Sequence, residues 1–262
     1  MSDNAAEWGL HEPRISERII IAARSLEELW ALHTRKMADF GFDRLIYGFT
    51  RFRAANSFGD RDDVIVLSNH SPEYVRNFVD KGLYKNAPMV RWAAKHVGTS
   101  SWRQVSERLA RGELTPEELD VLKFNRGMGV VAGYTISFSE VSVRAKGAIG
   151  LTARPGLNQD DVERIWSKHG DVIQLMNDVM HLKVHNLPYA AQRPPLTPRQ
   201  REVLEWVGDG KTTLDIATIL GVTQATVEKH LRLAREALDV ETTAQAVLKA
   251  WFQNQIFRAN TP

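Results

Sequence analysis

The chain has 262 residues, with 34 lysines and arginines against 32 aspartates and glutamates, and no cysteine. That length accommodates one large and one small domain, each with its own core, and a formal charge of +2 is too slight to mark a nucleic-acid binder without a localised basic surface. The lack of cysteine excludes a disulfide framework, a thiolate zinc site and a cysteine nucleophile, and fits a reducing compartment.

The opening MSDNAAEWGLHEPR has neither the basic nor the apolar region of a targeting signal. No later stretch approaches the roughly 20 apolar residues of a membrane span. The expected location is the cytoplasm, with no membrane partner. Ser25 with Glu28 three positions later is a capping signature, and the helix it opens should stop at Gly41. The strand FDRLIYGFTRF follows, then a short strand VIVLSN from Val64 to Asn69. Ser71 and Pro72 suit the N-cap and first position of a helix running through Leu83. Glu117 to Arg126 reads as helix, while GYTISFSE (Gly133 to Glu140) and RAKGAIGLTA (Arg144 to Ala153) read as paired strands. The pattern is an antiparallel sheet flanked by helices.

A long helix is expected from Asn158 to about Leu187, because Val162, Ile165, Trp166, Val172, Ile173, Met176 and Val179 recur at helical spacing. Most of this stripe should pack on the domain's own sheet, and part of it is available to a second subunit. LPYAAQRPP, Leu187 to Pro195, carries three prolines and marks a stiff, extended connector. The expected organisation is therefore a first domain over 1–187, a linker over 188–195 and a second domain over 196–262.

From Leu196 the chain parses into four short helices. Thr197 caps the first with Pro198 behind it, and Gly210 follows its last turn. Thr212 or Thr213 starts the second, which should bury some of Leu214, Ile216, Ala217 and Leu220; Gly221 then turns the chain before Thr223 caps the third. This is helix-turn-helix syntax. In the third helix Val227, Leu231, Ala234 and Leu238 fall on one stripe, leaving Ala225, Glu228, Lys229, Arg232 and Glu236 outward. Such a helix fits the major groove, with Thr223, Gln224, Ala225, Thr226 and Glu228 near base edges and Lys229, Arg232 and Arg235 reaching bases or phosphates. The domain is close to electrically neutral, so the turn syntax carries this reading and the charge does not. In the last helix Ala244, Val247, Leu248, Trp251 and Gln255 lie along one stripe, placing Trp251 against the small domain or its twin.

Through LTPRQREVL, Gly210-Lys211, DIATILGVT and TVEKHL, this segment resembles the DNA-binding domain of the LuxR superfamily. That family usually has glutamate where Gln200 stands, and often a basic residue where Glu228 stands. The N-terminal half is similar to the autoinducer-binding domain of quorum-sensing LuxR regulators through SNHSPEYVRNFVDKGLYKNAPMVRWA, Trp102 and GMGVVAGYTISF. The resemblance implies an α+β fold: an α/β/α sandwich with an antiparallel sheet, joined to an all-α tetrahelical helix-turn-helix domain. It implies a homodimer on palindromic double-stranded DNA, with RNA polymerase a candidate partner and an acyl-homoserine lactone or another small hydrophobic signal in place of any cofactor.

Aligned on Asn69 and Pro88, the family's Trp102 and Gly133 are retained, but its usual tryptophan becomes Tyr74, its usual tyrosine Phe78, and the aspartate that accepts the ligand's amide proton becomes Ala87. Losing an acceptor for a buried donor costs about 1–3 kcal/mol, so a standard lactone should bind weakly, and the lost polar anchors favour another ligand or none. Tyr47, Tyr84, Trp92 and Ser137 complete the candidate pocket, each equally explicable as core.

Two other classes of function compete. Catalysis is rejected because no G-x-S-x-G, H-E-x-x-H, P-loop or strand-borne G-x-G-x-x-G occurs. His181 and His185 are four apart on one helix face, but with no third ligand evident no metal site is assigned. The alternative is an interaction protein that inhibits a related regulator by heterodimerising with it.

Overall fold

A computed structural model of the chain describes residues 22–53, 63–140, 142–187 and 195–257. The opening segment and most of the proline-rich connector, 188–194, lie outside the described residues. The chain divides into two compact units, Met1–His185 and Asn186–Pro262. In the first, α1 (Leu26–Asp39) precedes strands β1 (Phe42–Thr50) and β2 (Val64–Ser68), then helices α2 (Pro72–Val75) and α3 (Pro88–Lys95). Strand β3 (Gly98–Ser101), helices α4 (Arg103–Ala110) and α5 (Pro116–Gly127), strands β4 (Gly133–Ser137) and β5 (Lys146–Ala153) and the long helix α6 (Gln159–Asn186) follow. All strand pairs are antiparallel, in the order β2-β1-β5-β4-β3.

Ser25 Oγ accepts the Glu28 N–H at 3.1 Å, opening α1, and Gly41 at φ +96° ends the turn into β1, a conformation cheap only for glycine. Alternate residues of β1, Leu45, Tyr47 and Phe49, are buried on the face shared with α1 and α6. There Phe42 meets Trp166 edge-on, and Trp166 stacks on Tyr134 at 3.9 Å. Asn69, one of the two alignment anchors, extends the ladder: its Oδ1 accepts the Leu45 N–H at 2.6 Å and its Nδ2 donates to Asp43 O at 2.8 Å.

The helix expected from Pro72 to Leu83 departs from plan. After α2 the coil widens into a π turn over Arg76–Asp80, Gly82 takes φ +77°, and Leu83–Asn86 form a 3₁₀ turn. The extra residue in the wide turn packs the neighbours Phe78 and Val79 into the same core cluster. The strand expected over Gly133 to Glu140 ends at Ser137, and that expected from Arg144 begins at Lys146.

The second unit holds α7 (Pro198–Gly208), α8 (Thr213–Leu220), α9 (Gln224–Leu238) and α10 (Thr243–Phe252). Gln200 closes a capping box: its Oε1 accepts the Thr197 N–H at 2.8 Å while Thr197 Oγ1 accepts the Gln200 N–H at 3.3 Å. A neutral amide thus fills the place where glutamate is usual. Thr212 and Thr223 cap α8 and α9, and Gly221 turns between them at φ +64°. Ile216 and Ala217 are buried, Leu220 is partly covered, and Leu214 stays exposed. Gln255, expected on the last helical stripe, lies past the end of α10.

His33 is wholly buried and donates from Nε2 to Asn177 Oδ1 at 3.0 Å, joining α1 to α6. Burial lowers its pKa from 6.5 to about 4, and the Asn177 bond only partly opposes this. Between these pH values the unfolded chain binds the proton and the folded chain does not, so stability is complete above about pH 6.5 and falls as pH drops towards 4. We expect a loss approaching about 3 kcal/mol from this group. Denaturant unfolding across that window, with His33 followed by NMR, checks it; a His33 that titrates at its ordinary value contradicts it.

Candidate functional site

The sheet face opposite α1 and α6 carries a cavity of about 250 Å³. Its floor is made by what β1 and β5 leave out. Gly48 lies opposite Ala148, and Ile46 opposite Gly150, so this face has few side chains where the other has many. A Cβ at Gly48 would meet nothing within 4 Å. Walls come from residues including Phe78, Val79, Tyr84, Ala87, Val90 and Trp102. Among the described residues lining it there is no aspartate or glutamate, and Arg126 is the one charged group.

Two aromatic donors reach into this space, and both are engaged within the protein. Trp102 Nε1 donates to Thr135 Oγ1 at 2.9 Å, and the Tyr74 hydroxyl donates to Asn125 Oδ1 at 3.2 Å. Tyr74 is stacked between His70, Phe78 and Phe124 at 4.2, 5.1 and 5.5 Å. Burial raises its pKa well above the ordinary tyrosine value, so it stays a protonated donor. Burial, aided by Arg44, lowers that of His70 to about 4, keeping the ring beside it neutral near pH 7. Trp102 lies over Gly133, where a Cβ would come within 3.0 Å of the indole and 2.2 Å of Leu151 O, so only glycine admits the indole at this point.

The structure thus brings Tyr74, Phe78, Tyr84, Ala87 and Trp102 to one cavity. Other candidates are placed differently. Tyr47 borders it, but its hydroxyl meets His181 Nδ1 at 2.8 Å on the opposite face of the sheet. Trp92 stacks on His96 and faces a separate groove with Arg91, Lys95 and Arg108. Ser137 Oγ lies 2.9 Å from Ala93 O and 2.7 Å from His96 O and shares its one proton between them, fastening α3 to β4 outside the cavity. Thr135, Asn125 and Arg126 line the cavity and escaped sequence reasoning. Thr135 was signalled by alternation in GYTIS, whereas nothing local marks Asn125.

In the second unit the four stripe residues of α9, Val227, Leu231, Ala234 and Leu238, are all buried. Thr223, Gln224, Ala225, Glu228, Lys229 and Arg232 are exposed, and Thr226 is half-covered with its hydroxyl 2.9 Å from that of Thr223. Arg232 forms an ion pair with Glu236, one turn along. Arg235 is half-buried and donates to Thr243 Oγ1 at 3.0 Å, away from the open face.

A ligand-sized cavity on an α/β sandwich followed by a helix-turn-helix unit defines a sensor joined to a DNA-reading output. The first matches the family profile "autoinducer binding domain" over residues 25–184, and the second "bacterial regulatory proteins, luxR family" over 194–250. Transcriptional activator protein AnoR of Acinetobacter nosocomialis is 22% identical over 88% of this chain and 92% of its own. Transcriptional activator protein LuxR of Aliivibrio fischeri is 23% identical over 72% and 74%. In structure the chain is similar to Escherichia coli SdiA, with a TM-score of 0.51 and 16% identity over 94% of this chain and 98% of that one. A second SdiA structure, in complex with octanoyl-rac-glycerol, also has a TM-score of 0.51. The chain belongs to the LuxR family of transcriptional regulators, whose members are DNA-binding regulators of quorum sensing and not enzymes.

Because the space above Gly48 is open, Gly48→Val should fill cavity volume while improving strand propensity. We expect thermal stability to hold or rise and small-molecule retention to fall at least tenfold, read by native mass spectrometry. Unchanged retention would place the ligand elsewhere.

Proposed function

We propose that this regulator is a cytoplasmic homodimer whose sensor cavity takes a compact, largely apolar signal other than a standard acyl-homoserine lactone. The observation that carries the ligand reading is the chemistry of the cavity lining, whose described residues offer hydroxyl, amide and guanidinium groups but no carboxylate. An amide N–H placed at Ala87 meets a methyl group where it needs an acceptor, whereas a carbonyl or carboxylate finds donors in Arg126 and Ser106. The volume, about 250 Å³, lies just under the usual range for ligand pockets of about 300–1,000 Å³, which favours a short acyl or aryl compound.

Dimerisation is supported by two exposed apolar stripes. On α6, Leu175 and Leu182 are 50% and 62% exposed with half-covered Val179 between them; on α10, Leu248 and Trp251 are 51% and 52% exposed beside Ala244. Each occurs at helical spacing and suits the same face of a second copy. Two α9 helices would then meet half-sites about 10 bp apart. Gln224, Ala225 and Glu228 face base edges, while Lys229 and Arg232 supply the positive charge, Arg232 by leaving Glu236. A signal regulates such a dimer only through different affinities for its DNA-competent and other arrangements.

Binding of the purified chain to a palindromic DNA library, with its mass measured under native conditions, tests this. We expect a dimer that binds DNA. Lys229→Ala should weaken binding to all sequences and lower the salt slope by about 1. A dimer that binds no DNA and captures a related regulator would favour the inhibitory interaction protein instead.

Restoring the acceptor should reverse the ligand preference. Ala87→Asp is expected to raise affinity for an N-acyl-homoserine lactone about tenfold; position 87 is the N-cap of α3, where a carboxylate can also accept from the free N–H groups of the first turn. Calorimetric titration of both proteins decides it, and equal affinities would show that position 87 does not set the preference.

A further inference from the structure

On the sheet face opposite the cavity, α6 presents His181 and His185 one turn apart, and the chain after β4 returns Glu140 beside them. One ligand atom from each of the three lies within 4.8 Å of the others. We propose that these residues form a binding site for a divalent cation of the zinc class. The sequence shows the histidine pair but not the third donor, which lies 41 residues earlier and meets the pair only through the fold.

Three observations support the assignment. The first is a buried polar pair lacking a hydrogen bond. His181 Nε2 and Glu140 Oε1 are 2.9 Å apart, with side chains 5% and 9% exposed, yet their orientation gives neither atom a hydrogen-bond partner. With the His181 proton on Nδ1, the Nε2 lone pair and the carboxylate oxygen face each other and a cation beside both relieves their repulsion; with a second proton, on Nε2, the two form an ion pair. Two ligands at 2.0–2.1 Å from a tetrahedral zinc are about 3.3 Å apart, so the observed spacing needs only a small adjustment.

The second is the support behind the ring. Tyr47 Oη lies 2.8 Å from His181 Nδ1. With Nδ1–H donating to the hydroxyl oxygen, the Nε2 lone pair faces Glu140, which is the tautomer metal binding requires and the outer-shell arrangement usual for a ligating histidine.

The third is the shell. Phe138 stacks on His181 at 4.0 Å, and Phe49 stacks on His185 at 4.4 Å. The rings wall the cluster and strengthen its electrostatics. Two imidazoles and one carboxylate suit zinc, with nickel and copper as competitors, while calcium and magnesium prefer all-oxygen sites. Three protein donors leave a fourth position for water. A bound ion would fasten α6 to the end of β4.

The test uses the full chain, stripped with chelator and then titrated with Zn²⁺ or Co²⁺ alone. We expect one equivalent of Zn²⁺ bound per chain, and visible ligand-field bands from Co²⁺. His185→Gln and Glu140→Gln should each lose that equivalent while keeping the far-UV spectrum. Tyr47→Phe should keep the stoichiometry and weaken affinity about 10–100-fold, an effect a purely structural tyrosine would not produce. A wild-type chain that binds no Zn²⁺, or that binds it as well after either ligand substitution, overturns the proposal.

Discussion

The alternation of β1 is the constraint on which the sensor unit depends. Successive residues point to opposite faces, so Leu45, Tyr47 and Phe49 build the packed core while Ile46 and Gly48 border the cavity. Every pairing that β1 makes with β5 fixes both faces at once. A slip of one residue would drive Tyr47 into the cavity and bring Gly48 into the core. The core side therefore pins the register, and the cavity exists because at Gly48, Ala148 and Gly150 the other side of the same register carries little or no side chain. Neither face can be redesigned independently.

The same geometry explains what was legible in the sequence. The helix-turn-helix was read closely because its signals are local: Thr197, Thr212 and Thr223 cap, Gly210 and Gly221 turn, and the buried stripe of α9 follows helical spacing. In the sensor unit, α1, β1, β2 and α6 carry equally local patterns. The weak elements were those with little local signature, such as β3, four small residues at a sheet edge, and the π turn after α2. Facing was harder still. Tyr47 and Ser137 sit on suitable strands, but Tyr47 turns to His181 and Ser137 to the end of α3. Asn125 and Glu140 acquire their roles through partners far away in the chain, and no spacing rule reaches them.

The two aromatic donors of the cavity are already satisfied without a ligand. Trp102 gives its N–H to Thr135 and Tyr74 its hydroxyl proton to Asn125. An entering molecule that takes either bond replaces one hydrogen bond with another, a near-even exchange. Net affinity must then come mainly from covering apolar wall, at roughly 25 cal/mol per Å², and discrimination from groups the wall cannot satisfy. A ligand N–H finds no carboxylate, whereas a ligand oxygen can meet Arg126 or a hydroxyl. On the proposed reading, Ala87, Tyr74 and Phe78, where the resemblance expects aspartate, tryptophan and tyrosine, act together by removing polar grip and enlarging the share of recognition carried by shape.

The output unit faces a related economy. Its charge is close to balanced, and on α9 the exposed cations Lys229 and Arg232 are interspersed with Glu228 and Glu236. Phosphate contacts supply most sequence-independent affinity, so one such unit has little grip on DNA as a charged surface. Arg235, committed to Thr243, adds less than its position in the sequence implies. Linking two units makes the second docking effectively intramolecular and multiplies weak half-site affinity by the local concentration of its twin. The scarcity of positive charge on the reading face therefore favours the proposed dimer, which would place control of DNA binding with whatever sets the geometry of the pair.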